Sequence, residues 1–214
     1  MILKSRPRIG LSFILLLAIQ VFLTVILEFS GLDVPYLGRE VANSLAQNSM
    51  PFPKLFISIF SNNLEIASLV CIPVIGLLFY FFFTIQTALA ASSYIVELHA
   101  SPYVLLNLFS HPDTLIEMSA YSMSAVISLY LLFRVIISKP RSMSKLLNSI
   151  YLYALMALIL VTAAILETAD IKCPIYWGGY FDAYWLPAIL ATITIIVTFQ
   201  KIIRIRLSVS TTTH

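Results

Sequence analysis

The chain has 214 residues, 60% of them hydrophobic and only 11% charged, against about 45–50% apolar and about 25% charged in a soluble domain. A fold in water has no interior large enough for that apolar share, so a soluble enzyme is excluded, and so is a disordered chain, whose composition runs the other way. The net charge of +3 is too small and too dispersed to mark a nucleic-acid surface.

A spanning helix needs about 20 apolar residues, because the hydrocarbon layer is roughly 30 Å thick and each residue rises about 1.5 Å. The first such stretch is Ile9–Phe29, preceded by Lys4, Arg6 and Arg8. It is too long for a signal-peptide core and no small-residue cleavage site follows, which predicts an uncleaved anchor. Next comes a polar stretch, 30–53, with GREVANSLAQNS suited to a short surface helix.

The apolar tract 55–98 is too long for one span and is broken by Pro73 and Gly76. It is read either as two spans, 55–73 and 76–98, or as a re-entrant hairpin with its tip at 73–76. After an outer-face connection at 102–114, spans are predicted at 115–137, 147–166 and 186–205. The predicted fold is therefore all-α, a polytopic transmembrane bundle of about six membrane segments in a single domain, one of them broken or re-entrant.

Ten of the thirteen basic residues fall on one side if the N-terminus, the SKPRSMSK loop and the C-terminus share a compartment. The positive-inside rule then places both termini in the cytoplasm, with the chain in the cell membrane. By the same threading, all ten acidic residues map to the outer side or the outer half of a helix. The loop IKCPIYWGGYFDAYW carries both tryptophans and matches an interfacial aromatic belt.

Ionisable and amide groups inside spans are costly and mark candidate sites. In FSHPDTLIEMSA, Ser110 is placed to cap a helix, Pro112 fits its first turn, and Asp113 complements the capping position and the helix dipole. Glu117 lies one turn deeper on the same face, where capping does not reach. Two stacked carboxyls there share a proton, hold a cation or meet polar groups of another helix. Asn62 and Asn63 open the second membrane tract, as caps or as hydrogen-bond partners of a neighbouring helix. Glu167 closes VTAAILETAD, whose small Ala163 and Ala164 permit close helix approach. Glu65, Glu97, His99 and His111 complete an outer-face cluster in this reading. Histidine spacing fits no zinc motif, and no phosphate-binding loop, nucleophile elbow or C-x-x-C occurs. No catalytic residue, metal or cofactor is assigned. Cys71 and Cys173 suggest no disulfide framework.

With FSNNLEIA, PDTLIEMSA and AAILETADIKCP in place, the chain resembles the stage II sporulation protein M family of integral membrane proteins across roughly 55–174. The resemblance matches Asn62 or Asn63 to the family's early-span Asn, Pro112 and Glu117 to its Pro-His-Gly-x-x-Glu signature, and Glu167 to its Ala-rich helix ending in Glu. Asp113 and Thr114 stand where that signature has His and Gly, and the family's mid-chain Asn-Gly is missing, with Gln86 the nearest polar residue. The resemblance implies a non-enzymatic membrane component that works with other membrane or envelope proteins. A permease subunit with a carboxylate-lined path and an intramembrane hydrolase using His111, Asp113 and Glu117 are the alternatives. The expected partners are the lipid bilayer and other membrane or envelope proteins, with a homo-oligomer open and no nucleic acid.

Overall fold

The structure, a computed structural model, describes residues 9–39, 50–99, 111–133 and 143–172. Every long element in them is a helix: α1 (Ile9–Phe29), α2 (Phe52–Val70), α3 (Gly76–Glu97), α4 (Pro112–Leu131) and α5 (Met143–Lys172), with a short helical turn over 35–39. Among the described residues four stretches are long and apolar enough to cross a membrane: α1, α3, α4 and the Ser149–Lys172 part of α5. The basic segments at 1–8 and 134–142, the aromatic loop after Lys172, the predicted last span and His214 lie outside the described residues.

The helix limits follow local chemistry. Pro51 precedes α2 and Pro53 stands in its first turn, where a missing N–H costs nothing. Pro73 then sits in a turn over 71–75, in which Val74 takes a positive φ of 75°. At the start of α3, a Cβ on Gly76 would lie 2.0 Å from the Val70 carbonyl oxygen and 2.7 Å from Ser128 Oγ. Only glycine permits that approach. α5 runs unbroken for 30 residues, well beyond the predicted 147–166, because TADIK contains no helix breaker and Lys172 suits the last turn.

Side-chain bonds give the helix directions. Tyr80 on α3 donates to the Leu16 carbonyl at 2.8 Å, and further along Ser92 Oγ donates to the Leu32 carbonyl while Ser93 Oγ accepts from Val34 N–H. α1 and α3 therefore run side by side in the same sense. α4 runs against α3: Ser122 meets Tyr80, and Ser128 Oγ donates to the Ile72 carbonyl in the turn before α3. The α2–α3 hairpin thus packs along α4, with its turn at Ser128. α4 and α5 are antiparallel neighbours, and α2 leans on both through Ala67, Cys71, Ile116, Ala120, Met156, Leu160 and Ala163. A second core joins Leu16, Val70, Tyr80, Ala125 and Val126.

α1 buries Leu16, Gln20, Thr24 and Glu28, one residue per turn, and turns Leu11, Ile14, Leu15, Phe22 and Ile26 outward. The polar groups point in and the apolar ones out. That is the pattern of a helix that meets lipid.

Candidate functional site

The residues gathered by the fold lie where α4 begins and α5 ends. His111 is the N-cap of α4, in extended conformation and without a side-chain capping bond. The expected cap at Ser110 is therefore corrected: the helix starts one residue after His111, because Pro112 takes the first helical position. Ser110 itself lies outside the described residues. Asp113 falls in the first turn, where its carboxyl stands beside the orphan donors of the helix start.

Glu117 lies one turn further along and accepts a 2.7 Å hydrogen bond from Tyr121 Oη. Across the antiparallel contact stand Glu167 and, one turn nearer the end of α5, Asp170. His111 Nδ1 is 3.3 Å from Asp170 Oδ2. Asp113, Glu117, Glu167 and Asp170 lie within electrostatic reach of one another, with His111 beside Asp113 and Asp170. Thr168, fully buried, turns its hydroxyl to the Ala164 carbonyl and so leaves the carboxyls to one another. Ala120, Ala163 and Ala164 are fully buried between the helices and let the backbones close up. Four carboxyl groups, one imidazole and one phenol thus share a small volume at one end of the α4–α5 pair. Partly desolvated like charges repel strongly, so the arrangement is suited to sharing protons, taking up a cation or receiving donors from another helix. Among the described residues no group of three or more His, Cys, Asp or Glu side chains is placed to hold a metal ion.

Other predicted positions lie elsewhere. Glu65 is exposed on α2, one turn before Ser68, whose hydroxyl lies 2.8 Å from Tyr153 Oη near the start of the apolar part of α5. It belongs to the half of the bundle away from the carboxyl cluster. Glu65 therefore does not join His111 in one cluster; it stands about three-quarters of the way along α2. Glu97 and His99 are exposed at the end of α3, where Glu97 lies beside Gly38 and no bond joins either to the carboxyl cluster among the described residues. Asn62 is exposed and donates at 3.3 Å to Oδ1 of its neighbour Asn63, which is buried. The expected bond from Asn62 to another helix is absent from the described residues.

Sequence reasoning missed three features. Tyr121 and Asp170 complete the cluster; their spacing from Glu117 and Glu167, four and three residues, was the available signal. Gln20, Tyr80 and Ser122, all buried, form a node between α1, α3 and α4. Ser122 Oγ donates to Gln20 Oε1 at 2.9 Å, and Tyr80 Oη lies 3.2 Å from both Gln20 Oε1 and Ser122 Oγ. Glu28, 4% exposed, has an Oε2 with no hydrogen-bond partner among the described residues. An open apolar groove of about 520 Å³ runs along α1 over Ile14, Leu17, Ala18, Val21, Phe22 and Val25, on the outward face and away from the carboxyl cluster.

Compared with protein-family models, with curated proteins and with solved structures, the chain matches none.

Proposed function

We propose that this chain is a multi-pass component of the cell membrane, both termini cytoplasmic, that anchors an envelope or membrane-remodelling complex in the manner of the stage II sporulation protein M family it resembles. One observation carries the reading. PDTLIEMSA and AAILETAD, 50 residues apart in the sequence, fold against each other so that Asp113, Glu117, Glu167 and Asp170 present one acidic end of a helix pair. A partner helix or loop that brings hydrogen-bond donors or a cationic side chain to this end would offset the mutual repulsion, which makes the end a recognition element. The test is co-purification in mild detergent of the tagged wild-type chain and of Glu117→Gln and Glu117→Ala. Wild type retains a reproducible set of envelope proteins and both variants lose it. Retention of the same set by the variants refutes the reading.

A second reading, a permease subunit, draws on Glu28. A carboxyl oxygen buried on α1 without a hydrogen-bond partner among the described residues, together with the α4–α5 carboxyls, supplies ionisable groups at membrane depth of the kind transporters use. Proton-dependent flux into liposomes holding the purified chain, lost in Glu28→Gln and Glu117→Gln, would support it; tight liposomes rule it out.

A further inference from the structure

The outward face of α2 has the wrong chemistry for lipid. Lys54, Ser58, Ser61, Asn62 and Glu65 are all exposed, and at 100° per residue they fall within an arc of about 100°, with the exposed Ile57 at its border. The opposite side of the helix is buried through Asn63, Ala67 and Val70. This face does not project beyond the bundle: Ser68 meets Tyr153 of α5, and the turn after α2 meets Ser128 of α4. It therefore lies at the depth of helices that cross a membrane, where hydrocarbon offers no hydrogen-bond partner.

We propose that this face pairs with the same face of a second copy of the chain, independently of what the carboxyl cluster recognises. Its chemistry is complementary to itself. Serine and asparagine both donate and accept, whereas Glu65 as a carboxylate only accepts. A two-fold axis along the bilayer normal brings equal depths together, so two α2 helices meet in parallel. Asn62 of each copy then donates to Glu65 of the other, one turn further on, and the bond is made twice. Ser58 and Ser61 are small enough to let the backbones approach at the crossing. Within the chain the Asn62 amide reaches only along its own helix, to Asn63 at 3.3 Å, among the described residues. Lys54 stands at the start of α2, beyond the paired stretch, where its long stem reaches water.

The test uses the full-length chain, purified in mild detergent and inserted into lipid nanodiscs, with Cys71 and Cys173 replaced by serine. Under a thiol oxidant Ser61→Cys gives a covalent dimer, whereas Phe22→Cys on the outward face of α1 stays monomeric. In the chain with native cysteines, Asn62→Leu weakens the dimer about tenfold or more, since two inter-helix bonds of roughly 0.6–2 kcal/mol each are lost. Helix content is unchanged because the position is exposed. Glu65→Gln, which keeps an acceptor, retains the dimer, and Glu65→Leu loses it. A monomer by mass in both detergent and nanodiscs overturns the proposal. So does a dimer that forms through Phe22→Cys as readily as through Ser61→Cys. Loss of an associated protein in Glu65→Gln, with the chain itself monomeric, assigns the face to a cationic partner helix instead and equally overturns it.

Discussion

α1 and α2 are built in opposite senses. α1 turns Leu11, Ile14, Leu15, Phe22 and Ile26 outward and keeps Gln20, Thr24 and Glu28 inside; α2 turns Ser58, Ser61, Asn62 and Glu65 outward and packs Leu55, Ala67 and Val70 inside. The first arrangement is stable against lipid alone. The second is a soluble-protein pattern on a helix that lies alongside membrane-length neighbours. Outward polarity, not total hydropathy, separates the surface that meets lipid from the surface that meets protein or water.

The sharpest way to break the contrast is to place the same charge on each face. Phe22→Lys puts a cation on the outward face of α1 and is expected to cost about 2.5–3.5 kcal/mol near the helix centre, read as loss of membrane insertion and expression. Ser61→Lys on α2 disrupts the proposed pairing and costs less insertion than Phe22→Lys, because that face is already polar and carries Lys54 and Glu65. Equal tolerance at both positions would mean that α1 does not face lipid.

Next in size is the inward polarity of α1. Tyr80→Phe removes the bond to the Leu16 carbonyl and the contact with Gln20, and is expected to cost about 1–2 kcal/mol, seen as a lower thermal midpoint in detergent. The bonds of the node stay in the interior between α1, α3 and α4, so its loss is structural. The carboxyl end of α4 and α5 is not closed in this way. Glu117→Gln keeps an acceptor for Tyr121 and removes one ionisable group from a crowded set, so stability changes by less than about 1 kcal/mol while partner retention is lost. A fall in stability as large as that of Tyr80→Phe would make Glu117 a brace like the node. Smallest is Asp170→Asn: its partly exposed pairing with His111 is worth about 0–1 kcal/mol, and the thermal midpoint shifts little.

The candidate site was partly legible. Pro112, Asp113, Glu117 and Glu167 stood out because carboxyls inside apolar runs are expensive, and that cost does not depend on where the neighbouring helices lie. Asp170 did not stand out, since three residues past Glu167 it reads as the start of a loop. Only the continuation of α5 to Lys172 brings it beside His111. Gln20 and Tyr80 were unreadable for another reason: a single polar residue in an apolar run can face lipid headgroups, a cavity or a partner, and 60 positions separate these two. Glu65 was misplaced because parity arguments count crossings without saying how far along a helix a residue lies.

Composition and run length by themselves determined an all-helical chain with membrane-length helices, because the balance between apolar transfer and backbone hydrogen bonding acts residue by residue along the chain. Rotation and depth were decided only in the tertiary structure. Which side of α2 faces out, which end of α4 meets α5, and how closely Gly76 lets the α2–α3 turn approach Ser128 depend on contacts between residues far apart in the sequence, whose energies exist only once the helices have packed.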